Sequence, residues 1–416
     1  MSGRVGWKLL LLVFWLASPA GADPLWPDEA VRLALQIDPR LQRERALVEG
    51  ARAYSQGAGA LPNPVLQLSA VDGSSPEDSN SLTQTLEIAG QPYLRGQAAA
   101  RDHQIALAGF EKTRREVIRE AARAYYDYWE ALAVARLYAG QLDFATRLQD
   151  IAEKRLAAGE ISSQEKLRVE QNRAEVEVAV VSINGQLAVA RRRLEAMLAD
   201  QSFRLPSTEE PVPDAPAFAG LTSDQFQELE LGLVTRPELV AAQRAAERDD
   251  FAARLAGRAG APDLQVSAYR SSLGNLANQG IQFSLVVPLF DWGRTGAEAA
   301  RRRKVAEARV YEVFAVRRQV GLELYSAFNA YQIARQKRDL TRQLAGNYLH
   351  FMQVTHQGYA IGLLSFVEVF DAQSANLRGF ESYLRAEAEF RRAQVELWWA
   401  SGLDYGPSRA DEAAAL

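Results

Sequence analysis

The chain contains no cysteine and only three histidines and three methionines among its 416 residues. Without cysteine no disulfide or thiolate metal site can form, and no lipid can be attached through an N-terminal cysteine. His103, His350 and His356 are scattered and lack partners at ligand spacing, so neither a metal site nor a cofactor site is expected. Beyond residue 22 no apolar run approaches the ~18–20 residues of a membrane helix. Charge is nearly balanced, 48 basic against 52 acidic residues, which gives nucleic acid no basic surface to bind. No nucleophile–base pair, phosphate-cradling glycine loop or metal cluster is visible, so an enzyme is not expected. Proline is missing from 93–205 and again from 289–406, two long stretches without the residue that most strongly breaks helices.

What is present begins with an export signal. Arg4 and Lys8 precede an apolar run, Leu9 to Ala17, and Ala20-Gly21-Ala22 has the small-x-small form of a cleavage site. Residues 1–22 are therefore expected to be removed. The remainder repeats itself. Pro64-Val65-Leu66-Gln67-Leu68-Ser69-Ala70 is answered 198 residues later by Pro262-Asp263-Leu264-Gln265-Val266-Ser267-Ala268, identical at five of seven positions. Asp38-Pro39-Arg40-Leu41 is answered by Arg236-Pro237-Glu238-Leu239, and Gly96 and Arg101 by Gly296 and Arg301. A repeat of this length implies a pseudo-symmetric architecture.

Each half, 23–205 and 221–404, reads as helix, strand, loop, strand, very long helix, break and helix. Alternation predicts strands over about 65–71, 81–89, 263–270 and 280–290. In the last of these Ile281, Phe283, Leu285, Val287 and Leu289 fall on one face, with Gln282 and Ser284 on the other. Long helices are predicted over 97–157 and 295–357, each some 60 residues or roughly 90 Å. They stop at Gly159 and Gly362, and helices over 163–199 and 365–402 follow, with serine as N-cap. A Pro-rich linker covers 206–220 and a weakly ordered tail 405–416.

Helices of this length do not fit a compact domain and imply a coiled-coil rod, barrel or tunnel. Four two-faced strands in an exported chain suggest a transmembrane β-barrel. Four cannot close one, and an open sheet edge cannot face lipid, so three protomers would supply twelve strands. The alternative is a periplasmic coiled-coil scaffold or adaptor without a membrane barrel. Tyr125, Tyr126, Tyr128 and Trp129, echoed by Tyr325, Phe328 and Tyr331, are expected to be helix-packing core. Tyr93 and Trp292, where strand meets helix, suit an interfacial belt.

Over essentially all of 23–404 the chain resembles the TolC family of outer-membrane efflux ducts. The resemblance rests on Arg236-Pro237-Glu238-Leu239, on the strand Phe283 to Asp291 running into Trp292-Gly293-Arg294, and on the paired Gly-x-x-Ser tips. Leu86-Glu87-Ile88-Ala89-Gly90 followed by Arg95 is most similar to the heavy-metal branch, which serves metal-cation pumps. The resemblance implies a mainly α-helical homotrimer whose twelve-stranded barrel sits in outer-membrane lipid. A helical barrel then crosses the periplasm to an adaptor and an inner-membrane pump of the RND type. It also implies an acidic ring at the periplasmic entrance. Glu368 and Asp371 share a helix face, Glu165 is the repeat mate of Glu368, and Tyr359 matches a gating tyrosine. The chain departs from that pattern in having Leu364 where a basic gating partner is expected, and glutamate at some aspartate positions. Like charges in such a ring are expected to attract cations and to raise one another's pKa. Gly159, Ile161, Ser162, Gly362, Leu363, Leu364 and Ser365, with Phe366 beside them, are the expected adaptor-contact tips.

Overall fold

A computed structural model describes residues 25–69, 77–198, 226, 229–230, 233–273, 276–361 and 363–403. The expected signal peptide, the Pro-rich linker, the tail and Gly362 lie outside these residues. Element order is α1 (Pro27–Ile37), α2 (Pro39–Gly57), β1 (Val65–Ser69), β2 (Glu77–Leu86), α3 (Gln91–Ala157), α4 (Ser163–Leu198), α5 (Pro237–Gly257), β3 (Asp263–Leu273), β4 (Leu276–Val286), α6 (Arg294–Ala360) and α7 (Phe366–Ser401). The duplication is plain in this order. Two helices of 67 residues, α3 and α6, each run for ~100 Å.

Both long helices begin earlier than the sequence suggested. Pro92 is favourable in a first turn, where its missing N–H costs nothing. Gly96 lies in α3 because its backbone passes close to Gly59, where a Cβ would sit 3.6 Å from the Gly59 Cα. Two strands are also displaced from expectation. β2 ends at Leu86, not near 89. There Glu87 turns away to pair with Arg95 at 2.7 Å, and Gly90, with φ +82°, reverses the chain into α3. Arg95 also donates to the carbonyls of Ala58 (3.2 Å) and Ala60 (2.8 Å), so the segment that marked the metal branch is a clasp between sheet and helices. β4 ends at Val286, not near 290, because its partner strand stops at the Asp263–Val286 pair and Pro288 has no N–H to donate.

The four strands form one antiparallel sheet in the order β1-β2-β3-β4. Its register sorts the side chains into two faces, because directly opposed residues share a side. One face carries Leu86, Leu264 and Leu285 in one row, Gln84, Val266 and Phe283 in the next, and Leu66, Leu82, Ala268 and Ile281 in a third. The other carries Gln67, Ser69, Ser79, Ser81, Thr83, Gln265, Ser267, Tyr269, Gln282 and Ser284. Hydroxyls on that face pair across strands, Thr83 with Ser267 at 2.8 Å and Ser69 with Ser79 at 2.7 Å. Both hairpin turns lie at one end of the sheet, and all helices leave from the other.

The core lies partway down the helices. Val117, Ile118, Tyr125, Tyr126 and Trp129 of α3 pack with Leu194 and Leu198 of α4, Val320, Leu324 and Tyr331 of α6, and Phe390, Val395, Leu397 and Trp398 of α7. Tyr125 donates to the Leu25 carbonyl at 3.1 Å, which ties the segment just before α1 to this belt. Of the aromatic echo, Tyr331 is buried but Tyr325 is largely exposed and meets the edge of Phe226. The repeated proline motifs clamp the same belt with the arginine and its acid exchanged in position. Arg40 binds Asp38 and Glu120, whereas Arg236 binds Glu238 and Glu323. Arg236 goes further: it is buried, stacks 4.5 Å from the Trp399 ring and donates to the Ala400 carbonyl at 2.9 Å. Arg115 donates to the carbonyls of Trp398, Trp399, Gly402 and Leu403. Two guanidiniums thus satisfy the carbonyls that the end of α7 leaves open and oppose its negative dipole end.

Candidate functional site: the paired helix tips

At the end farthest from the sheet, α3 turns into α4 and α6 into α7. The first tip is a Schellman stop. Gly159 has φ +77°, its N–H donates to the Leu156 carbonyl at 2.9 Å, and the Glu160 N–H donates to the Arg155 carbonyl at 2.9 Å. Ser162 then caps α4. The Glu165 N–H donates to Ser162 Oγ (3.2 Å), while Glu165 Oε2 accepts from the Ser162 N–H (2.8 Å) and hydroxyl (3.0 Å). The second tip repeats this arrangement. The Leu363 N–H donates to the Gly358 carbonyl at 2.9 Å, Ser365 caps α7, and Glu368 Oε2 accepts from the Ser365 N–H (2.7 Å) and hydroxyl (2.8 Å). Both are capping boxes, in which serine and glutamate satisfy each other's backbone donors.

Glu165 and Glu368 therefore hold local structure as well as charge. Within the protomer their carboxyls lie below the usual glutamate range, because backbone and hydroxyl donors of Ser162 and Ser365 favour the ionised form. That direction is opposite to the rise expected from crowding in a ring. The Ser-x-x-Glu spacing that signals a capping box is legible in the sequence, although the serines alone suggested caps there.

Glu165 and Asp371 line one groove between α4 and α7, a cavity of about 280 Å³ that also takes in Arg168, Glu175, Val367 and Phe370. Asp371 and Glu368 are exposed on one side of α7. The tip side chains differ in their surroundings. Leu363 is 77% exposed, with Ile361 beside it exposed as well. Ile161 and Leu364 are half-buried, and Leu364 packs on Gly358, where any Cβ would clash at 2.6 Å. The side chains of Tyr359 and Phe366 lie outside the described residues. Among the described residues no group of three or more His, Asp or Glu is placed to hold a metal ion. No described helix is long and apolar enough to cross a membrane.

Comparison with known proteins places this architecture. The model of the family described as "Outer membrane efflux protein" matches residues 30–200 and 229–403. The chain is 26% identical over 372 residues to the cobalt-zinc-cadmium resistance protein CzcC of Cupriavidus metallidurans, covering 87% of this chain and 86% of that protein. The crystal structure of CusC shares the fold with a TM-score of 0.77 at 16% identity, over 94% of this chain and 96% of CusC. The outer membrane protein VceC of Vibrio cholerae does so with a TM-score of 0.73 at 18% identity, over 91% of this chain and 97% of VceC. The family match spans both halves of the duplication and sets aside the reading as a scaffold without a barrel. The chain belongs to the outer membrane efflux protein family, as an outer-membrane exit channel whose helices extend into the periplasm.

Proposed function

We propose that this channel is the passive outer duct of a metal-cation efflux system. It performs no covalent chemistry and pairs with an RND-type inner-membrane pump through a periplasmic adaptor. Members of the family are trimeric channels that work with an adaptor and an inner-membrane pump. Several features of the protomer support assembly by threes. β1 and β4 are sheet edges with unused ladder groups, and three such sheets make a twelve-stranded barrel. Tyr311, Phe314, Leu322, Ile333 and Leu340 form an exposed apolar stripe along α6 that a second copy would cover. The apolar sheet face then meets lipid and the hydroxyl- and amide-rich face lines the lumen.

The cargo assignment rests on one observation, the match to a cobalt-zinc-cadmium resistance protein over most of both chains. Its test is resistance. Expressed with its own adaptor and pump in a host lacking an exit duct, the chain should raise tolerance to zinc, cobalt or cadmium and lower cell-associated metal. Tolerance that rises for organic compounds alone would refute metal cargo.

The tips serve two roles in this reading. Gly159, Ile161, Ser162, Gly362, Leu363, Leu364 and Ser365 meet the adaptor. Glu165, Glu368 and Asp371, with Tyr359, ring the entrance. Gly159→Val should strain a residue held at φ +77°, at about 1–2 kcal/mol, with no neighbour to clash. The trimer should still insert, but adaptor co-purification and metal resistance should fall. Normal complex formation would reduce the tip to a plain loop.

The acids can be tested without destroying the cap, because glutamine also serves in a capping box. Glu368→Gln with Asp371→Asn should weaken cation selectivity in planar bilayers and relieve block by divalent or trivalent cations, which bind carboxylate oxygens. If selectivity and block stay as in the parent channel, the entrance charge lies elsewhere.

A further inference from the structure

The apolar face of the sheet ends in a polar row that cargo conduction does not use. Outward from the helical end, the fourth row across that face reads Leu68, Asn80, Arg270 and Gln279. Arg270 is the one ionised residue in these four rows. It is exposed and forms no ion pair with any described residue. Two amides on the neighbouring strands flank it directly, Asn80 of β2 on one side and Gln279 of β4 on the other.

Its depth follows from the strand. The apolar positions run from Ile281 to Leu285 on β4 and continue past its end at Val287 and Leu289, at most about 26 Å of chain, or roughly 20 Å along the normal at a tilt of ~40°. That nearly fills the ~25 Å apolar band of a membrane barrel. The opposite margin carries Phe290 and Trp292, the latter 96% exposed, where the chain turns into α6. Asp291 fixes that turn by accepting from the N–H groups of Gly293 and Thr295, both at 2.9 Å. With the helices in the periplasm, Arg270 stands at the outer margin, in the headgroup layer. A guanidinium there costs little, whereas at midplane it would cost several-fold more.

We propose that Arg270, with Asn80 and Gln279 beside it, binds a phosphate of a phosphorylated glycolipid in the outer leaflet, once per protomer. The planar guanidinium matches phosphate oxygens with two parallel N–H donors, and cross-strand neighbours lie close enough to add amide donors. The proposal rests on the lipid-facing barrel described above.

The test uses full-length trimers extracted in mild detergent, with co-purifying glycolipid phosphate measured per protomer. Arg270→Gln should retain about tenfold less, the worth of one charge-assisted pair, while the yield of heat-modifiable trimer is unchanged. Asn80→Leu with Gln279→Leu, which keeps the charge, should show a smaller loss and covers the case in which Arg270→Gln does not assemble. Vesicles of phosphatidylethanolamine with bisphosphorylated lipid A should stabilise the parent trimer against heat. Vesicles with dephosphorylated lipid A should not, and millimolar inorganic phosphate should not release the bound lipid. Unchanged retention in the variants overturns the proposal, as does release by free phosphate. A failed barrel reading would show differently, as a parent chain that yields no heat-modifiable trimer at all.

Discussion

Phe283→Arg, and separately Leu285→Arg, should leave almost no heat-modifiable trimer in the outer membrane, whereas Gln282→Arg and Ser284→Arg should assemble at near-normal yield. The four positions are consecutive on β4, so local propensity and strand pairing hardly distinguish them. What differs is the face. Phe283 lies in a row with Gln84 and Val266, and Leu285 in a row with Leu86 and Leu264; they are 71% and 60% exposed in the protomer with no protein to cover them. Gln282 and Ser284 lie opposite Ser267 and Gln265 on the hydroxyl- and amide-rich face. A cation on the lipid face near the bilayer midplane costs about 2–4 kcal/mol, and symmetry imposes it three times. In the water-filled lumen the same charge stays solvated. Semi-native electrophoresis of membrane fractions, heated and unheated, reads the result. Equal tolerance of all four substitutions would remove the lipid-facing assignment.

Arg236→Leu should destabilise the helical belt by about 3–5 kcal/mol, the usual cost of breaking a buried ion pair and stranding its partners. Arg236 is 1% exposed, and its loss takes a charged donor from Glu238 and the Ala400 carbonyl and leaves Glu323 with Gln319 alone of its two side-chain donors. Burial pulls the Glu238 carboxyl upward, but hydrogen bonding and charge attraction from Arg236 leave it below its ordinary value. That contribution is fully present above the ordinary glutamate range and is lost as pH falls through the depressed value. Acid should therefore narrow the gap between parent and variant. The repeat supplies an internal control. Arg40→Leu removes the mate of the same clasp, but its side chain is 39% exposed, so the loss should stay within about 1 kcal/mol. Hydrogen exchange at residues 394–403 separates the two, because Arg236 alone among them reaches the end of α7. Equal protection in both variants would mean that Arg236 is no tether.

Several features of this protein were written in the sequence because they are local. Two-residue alternation in 281–285 marks a lipid-type strand face whatever the chain does elsewhere, since side chains of a strand must alternate. Proline-free tracts ending in Gly-x-x-Ser specify long helices, their stops and their restarts. The duplication itself is visible as repeated words such as Leu-Gln-x-Ser-Ala. Other features were out of reach because they join residues far apart. The strand ends shifted by several residues, as Glu87 had to meet Arg95, and Pro288 had no ladder partner to lose. Nothing near Arg236 announces that it grips Ala400, 164 positions away, or that its repeat mate is an acid, Asp38, paired with Arg40 at the position of Glu238.

The acids at the tips fall between these cases. Their placement beyond the two turns could be read directly, but their hydrogen-bonded state depended on the turn geometry that brings each glutamate back to its own serine. Arg270 shows the division most sharply. In sequence it is one arginine in a strand of mixed polarity. Only the register of β2, β3 and β4, which fixes what lies opposite what, sets it on the apolar face between two amides. Periodicity determines that a strand has two faces; pairing decides which residues share one, because a slip of a single position would exchange them all.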